Sequence, residues 1–159
     1  MNRRHALRHI ALISGGLALI PSCDFSKDDI LAAYKNLKVT ASQKALLAAI
    51  SDTIIPAGEI KGALDLEVPD FILVMVNDCF TKENQEKFSA GLIAFPDYVQ
   101  KTAGKNFDAL STKEKEELIL NGTKLEGDDT PEGKERGNIA YFLNSTKRFT
   151  IQGYMASEY

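Results

Sequence analysis

Catalysis needs groups that can take a proton, a metal or a bond, and this chain holds few of them. Its two histidines, His5 and His9, both lie within the first ten residues. The rest of the sequence has none, so neither a Ser-His-Asp nor a Cys-His arrangement can be assembled there. The two cysteines, Cys23 and Cys79, stand far apart. They make no Cys-x-x-Cys-His haem attachment site. One cysteine beyond the leader cannot hold an iron–sulfur cluster, and zinc would lack its usual histidine and thiolate ligands. The carboxylates Asp65, Asp70, Asp78, Glu114, Glu116 and Glu117 read as solvated helix faces, with no pair spaced for acid–base work. Gly15-Gly16, Gly122, Gly127, Gly133 and Gly137 fit neither phosphate-loop fingerprint. No catalytic, cofactor-binding or metal-binding residue is therefore expected, and no catalytic activity of the chain's own.

The residues with an assignable task stand at the start. Arg3, Arg4 and Arg8 precede an 11-residue apolar stretch, Ile10 to Ile20, and Pro21-Ser22-Cys23 follows it. A basic start, a short apolar centre and a small residue before the processing point is the layout of an export signal. The Arg3-Arg4 pair, with two glycines and modest hydrophobicity behind it, is that of a twin-arginine signal. The other reading is an ordinary secretory signal that contains Arg-Arg, since Ala6-Leu7 replace the usual phenylalanine. Ile20-Pro21-Ser22-Cys23 has the form of a bacterial lipobox, which makes Cys23 a lipidation site. Its alternative is cleavage elsewhere, with Cys23 an ordinary thiol. Acyl chains gain about 0.8 kcal/mol per buried CH₂, so several together hold a protein firmly to a membrane. The expected location is the bacterial cell envelope, on the periplasmic side, with the protein held as a membrane-anchored lipoprotein.

The expected organisation is a signal peptide over 1–23, a polar tether over 24–38 and one domain over 39–159. With 44% hydrophobic and 26% charged residues among 159, the composition suits one soluble domain with its own core. No apolar run approaches the roughly 20 residues of a membrane-spanning helix. The whole chain carries a net charge of −3; without its three leader arginines, 16 basic and 22 acidic residues leave −6. That argues against nucleic-acid binding, which depends on a basic face; a local basic patch stays open, but no Lys/Arg cluster interleaved with aromatics occurs.

Helical signals dominate the domain. Thr40-Ala-Ser-Gln43 is a capping box before Leu46, Leu47, Ile50, Ile54 and Ile55, and Pro56 stops that helix. Val68-Pro69-Asp70 opens a second helix, apolar nearly all round. Cys79 lies within it, either as a small buried core residue or as one half of a disulfide. If Cys23 is lipidated, that disulfide needs a partner on another chain or in sequence missing here. Thr81 caps a third helix, in which Pro96 predicts a kink or break. Ser111-Thr-Lys-Glu114 is a second capping box. Gly127 to Gly137 reads as an exposed loop, and a last helix from about Asn138 is expected to stop at Gly153. The fold class is all-α, with about five helices.

Several stretches resemble the gluconate 2-dehydrogenase subunit 3 family. They are Asn2-Arg-Arg-His-Ala-Leu-Arg8, Gln43-Lys-Ala-Leu-Leu-Ala-Ala-Ile-Ser-Asp-Thr-Ile-Ile-Pro56 and Gly62-Ala63. Val68-Pro69-Asp70-Phe71, Asn77-Asp-Cys-Phe80, Phe107-Asp-Ala-Leu110 and Gly153-Tyr-Met-Ala-Ser-Glu158 continue them. The resemblance implies an accessory role beside a large flavin-dependent dehydrogenase of the glucose–methanol–choline type, often with a c-type cytochrome. FAD would sit in that partner, which oxidises a sugar, sugar acid or polyol. The small subunit would carry the signal for the twin-arginine translocase and take the folded partner across with it. Members of the family usually continue past the Gly-Tyr-x-x-Ser-Glu block, whereas this chain ends at Tyr159. A fragment, or a chain lacking part of the partner-binding surface, are both open readings. The alternative function is a free-standing helical envelope lipoprotein that binds another protein.

Overall fold

A computed structural model describes Leu31 and residues 34–157. Arg3, Arg4 and Cys23 lie outside the described residues. Five α-helices follow one another: α1 Ala41–Ile54, α2 Val68–Cys79, α3 Lys82–Ala103, α4 Thr112–Gly122 and α5 Pro131–Ala156. One 3₁₀ turn, Phe107–Ala109, separates α3 from α4. Among the described residues there is no strand, in keeping with the all-α expectation.

The helix starts are written locally. Thr40 Oγ1 accepts from the Gln43 amide at 3.3 Å while Gln43 Oε1 accepts from the Thr40 amide at 3.0 Å. Ser111 and Glu114 repeat the arrangement at the start of α4. Each such box satisfies two of the amides that the first helical turn leaves without partners. At the other end of α3, Gly104 takes φ 68° and donates to the Gln100 carbonyl at 2.9 Å. That left-handed conformation suits glycine.

The core is centred on the contact between α3 and α5. Phe88 and Phe95 of α3 meet Phe142 of α5 at ring-centroid distances of 5.1 and 5.9 Å. All three rings are fully buried. Gly91 permits this approach: a Cβ there would lie 2.2 Å from the Asn138 carbonyl oxygen and 2.5 Å from Phe142 Cβ. The other helices cover this pair, with Leu47 and Ile50 from α1, Ile72, Leu73 and Val76 from α2, and Leu118 and Ile119 from α4.

Five local expectations need correction. α3 runs unbroken through Pro96; the proline is on the exposed side, where water can serve the carbonyl that its missing N–H leaves. The stretch Gly127–Gly137 is a loop only as far as Thr130. Thr130 caps α5, Pro131 fills its first position, and Gly133 and Gly137 lie within the helix. Gly133 serves packing, because a Cβ there would collide with Asp128, whereas one on Gly137 would make only an ordinary contact with Gly127. Gly153 does not stop α5, which continues to Ala156; a Cβ there would lie 2.6 Å from the Phe71 ring. α2 is not apolar-buried all round, since Val74 is exposed. Cys79, at the last position of α2, is exposed and free rather than a core residue, because the chain turns away to start α3.

Ahead of α1, residues 34–39 form a strap across α2. Tyr34, Leu37 and Val39 are buried in the common core, although the first two fall in the stretch read as tether. Asp70 and Asn77, seven positions apart and so on one face of α2, hold it. Tyr34 Oη donates to Asp70 Oδ1 at 2.5 Å. The Asn36 amide donates to Asn77 Oδ1 and the Asn36 side chain to the Asn77 carbonyl, each at 3.1 Å.

Candidate partner interface

The polar residues that the sequence offered as chemistry serve the fold. Asp65 accepts from the Gly62 amide at 2.9 Å and so shapes the turn after α1. Glu114 completes the α4 capping box, which, with its hydrogen bonds from Ser111, holds its carboxyl below the usual range. Asp78 and the α4 carboxylates Glu116 and Glu117 are exposed. Asp70 gathers partners from two other elements. Besides Tyr34, it accepts from Lys44 Nζ at 2.6 Å, joining α1, α2 and the strap.

The electrostatics of that group argue for a pin rather than a catalyst. Partial burial pushes the Asp70 carboxyl upward, but the hydrogen bonds from Lys44 and Tyr34 outweigh it and the net shift is downward. Burial, the bond to Asp70 and its charge push the Tyr34 hydroxyl up to about 12. A phenol so raised stays protonated and donating at neutral pH. The ion pair is half exposed, at 35% and 45% for the two side chains, a setting in which such pairs contribute about 0–1 kcal/mol. Among the described residues no group of three or more metal-ligating side chains comes together.

Apolar surface is the more telling feature. Thr53 and Ile54 at the end of α1, Ile119 and Leu120 of α4 and Lys147 of α5 line a groove of 260 Å³. Leu120 is 50% exposed at its edge. Along α5 the positions four and eight residues after Lys147 are Ile151 and Met155, on the same helix face. They are 46% and 77% exposed. Large apolar side chains held out in a row beside a groove mark an interaction surface more often than an ordinary solvent face.

Just past the end of α1 the chain makes a knot of close contacts. The Ala63 amide donates to the Ile55 carbonyl at 2.9 Å, and the Val68 amide to the Ala63 carbonyl at 3.0 Å. Gly62 is required there, since a Cβ would lie 2.4 Å from the Ala57 nitrogen. Tyr154 Oη donates to the Lys61 carbonyl at 3.0 Å, while Gly153 seats on Phe71. Residues 52–56, 62–63, 68–71 and 153–156 thus meet at one end of the body.

Over residues 41–159 the sequence matches the family described as Gluconate 2-dehydrogenase subunit 3. The chain belongs to that family. No curated protein and no solved structure gives a significant match. Membership makes this Gluconate 2-dehydrogenase subunit 3 chain an accessory subunit of a dehydrogenase complex. Its match starts at the first residue of α1, so the strap that precedes it, with three buried side chains, falls outside the matched span.

Sequence reasoning found the family blocks but not the groove. Leu120 and Ile151 are unremarkable members of apolar periodic runs until α1, α4 and α5 are set side by side.

Proposed function

We propose that this chain is the non-catalytic small subunit of a periplasmic, membrane-associated flavin dehydrogenase that acts on a sugar, sugar acid or polyol. The observation that carries the proposal is the apolar groove with the exposed Leu120, Ile151 and Met155, which lies within the span that matches the family. In this reading FAD belongs to the large glucose–methanol–choline-type subunit, which docks on the groove, and a c-type cytochrome is the natural third member. Arg3 and Arg4 direct the pair to the twin-arginine translocase. Cys23, lipidated, then holds it at the membrane. A sequence whose only histidines are His5 and His9 supports an accessory role over a catalytic one.

The test is affinity purification of the tagged full chain from detergent-solubilised membranes, reading flavin fluorescence in the eluate. Recovery of a flavoprotein is expected. Leu120→Lys combined with Ile151→Lys should lose it while the melting temperature of the chain stays unchanged, because both side chains already face solvent. An eluate without flavin, or a double variant that retains it in full, overturns the proposal. Arg3→Lys with Arg4→Lys should leave both subunits in the cytoplasm, and Cys23→Ser should shift the complex to the soluble periplasmic fraction.

A further inference from the structure

We propose that the end of the molecule at the start of α3 faces an anionic lipid bilayer; this rests on the reading of Cys23 as a lipid anchor. Three observations point the same way. The first is where the chain enters the body. Leu31 donates its amide to the Val39 carbonyl at 2.8 Å, beside the strap. Eight residue steps separate it from Cys23, a reach of about 28 Å at most. The strap is fixed on α2 by Tyr34 and Asn36, so an anchor at Cys23 keeps this end close to the membrane.

The second observation is a charge polarity along α3. At its N-terminal end a cleft of 640 Å³ is lined by Asn36, Lys38, Asn77, Asp78, Lys82 and Glu86, among others. Lys35 stands in the same strap, and Arg148 lies over the Phe80 ring at 5.9 Å, on the border of the cleft. Lys87 and Glu83 cancel each other at 2.7 Å. Basic groups outnumber acidic ones here: Lys35, Lys38, Lys82 and Arg148 stand against Asp78 and Glu86.

The third is the opposite pole. Residues 108–135 hold nine acidic and four basic residues, a net charge of −5. Ion pairs Lys101–Glu135 at 3.8 Å and Lys105–Glu114 at 3.7 Å place that segment at the C-terminal end of α3. A helix of 22 residues is about 30 Å long. A mature chain of net −6 on a short tether over a negative surface turns its acidic pole away and its basic end down, since fields of this kind act within about 10 Å.

Cys79 supplies the reporter. It is exposed beside the cleft and is the sole cysteine besides Cys23. The acylated full chain, labelled at Cys79, is reconstituted into phosphatidylethanolamine vesicles with or without phosphatidylglycerol, and energy transfer to a headgroup acceptor is measured. A second probe sits at the acidic pole through Glu126→Cys in a Cys79→Ser background. Transfer from Cys79 should exceed that from position 126, and the excess should grow when phosphatidylglycerol is present and shrink at high salt. Lys35→Ala and Lys38→Ala should each weaken the preferred orientation about fivefold. Equal transfer from both probes, or a difference indifferent to lipid charge and salt, overturns the orientation. Absence of acyl mass on Cys23 overturns the anchor itself, which intact-mass analysis reads separately.

Discussion

Gly91→Ala should destabilise the body, although in an isolated helix it would be favourable. The new Cβ would lie 2.2 Å from the Asn138 carbonyl oxygen and 2.7 Å from its carbon, with Phe142 Cβ at 2.5 Å. Ordinary contact needs roughly 1 Å more, and the obstacles are backbone atoms of α5, which no rotamer change can move. The two helices must separate, loosening Phe88, Leu92 and Phe95 against Ile139 and Phe142. A gap of 0.5–1 Å forfeits about a quarter to a half of the dispersion energy of the atoms across it. Overpacking of this kind costs about 3 kcal/mol at the upper end of its usual range. Replacing a mid-helix glycine by alanine returns about 1 kcal/mol. The net loss is about 2 kcal/mol, or roughly 8 °C in melting temperature for a body of this size. Thermal unfolding followed by circular dichroism measures it. Gly58→Ala is the control, because a Cβ there meets nothing within 4 Å. A Gly91→Ala chain that melts with the unmodified protein would refute the close approach of α3 and α5.

Three further outcomes follow from the strap and the caps. Tyr34 contributes its full share below pH 10, where the phenol is protonated in folded and unfolded chains alike. The unfolded phenol ionises first, so that share is lost as the pH climbs from 10 toward about 12. Tyr34→Phe should therefore be less stable at neutral pH and lose less than the unmodified chain over that alkaline range, as urea unfolding at fixed pH would report. Asp70 acts in the opposite direction: its carboxyl is held below the ordinary 3.8, so its contribution is whole above that value and fades as the pH falls through the lower folded one. Asp70→Asn should flatten that acid limb. Thr40→Ala removes one half of the α1 capping box and should cost about 1 kcal/mol, read as a lowered urea midpoint at unchanged slope.

Much of the architecture was legible because its signals are local. Two capping boxes, a Val-Pro helix start and 3.6-residue apolar spacing need no distant information, and α1, α2 and α4 follow from them. The errors arose where packing overrides a local preference. Gly133, Gly137 and Gly153 look like helix breakers in sequence, yet all three lie within α5, and at Gly133 and Gly153 a side chain would strike a neighbour. Pro131 was a start signal hidden in a glycine-rich stretch, with Thr130 before it as cap. Cys79 looked buried because its helix is apolar, but the residue count places it at the final turn, on the outside. Asp70 gave no hint of its role, since its partners Lys44 and Tyr34 lie 26 and 36 residues away. The groove beside Leu120 depends on three helices at once, and no single stretch encodes it.

The strap also has a consequence in time. A ribosome delivers residues 34–38 long before Asn77, 41 positions after the Asn36 it pairs with. Until α2 exists, Tyr34, Leu37 and Val39 have nowhere to bury. Anything joined to the N-terminal side of the strap is therefore attached to an unfinished body until the second helix has been made and packed. Once Asp70 and Asn77 are in place, the root of the N-terminal segment becomes part of the tertiary structure. In the proposed export route, a receptor engaging Arg3 and Arg4 would meet an end whose fixed root depends on the fold behind it.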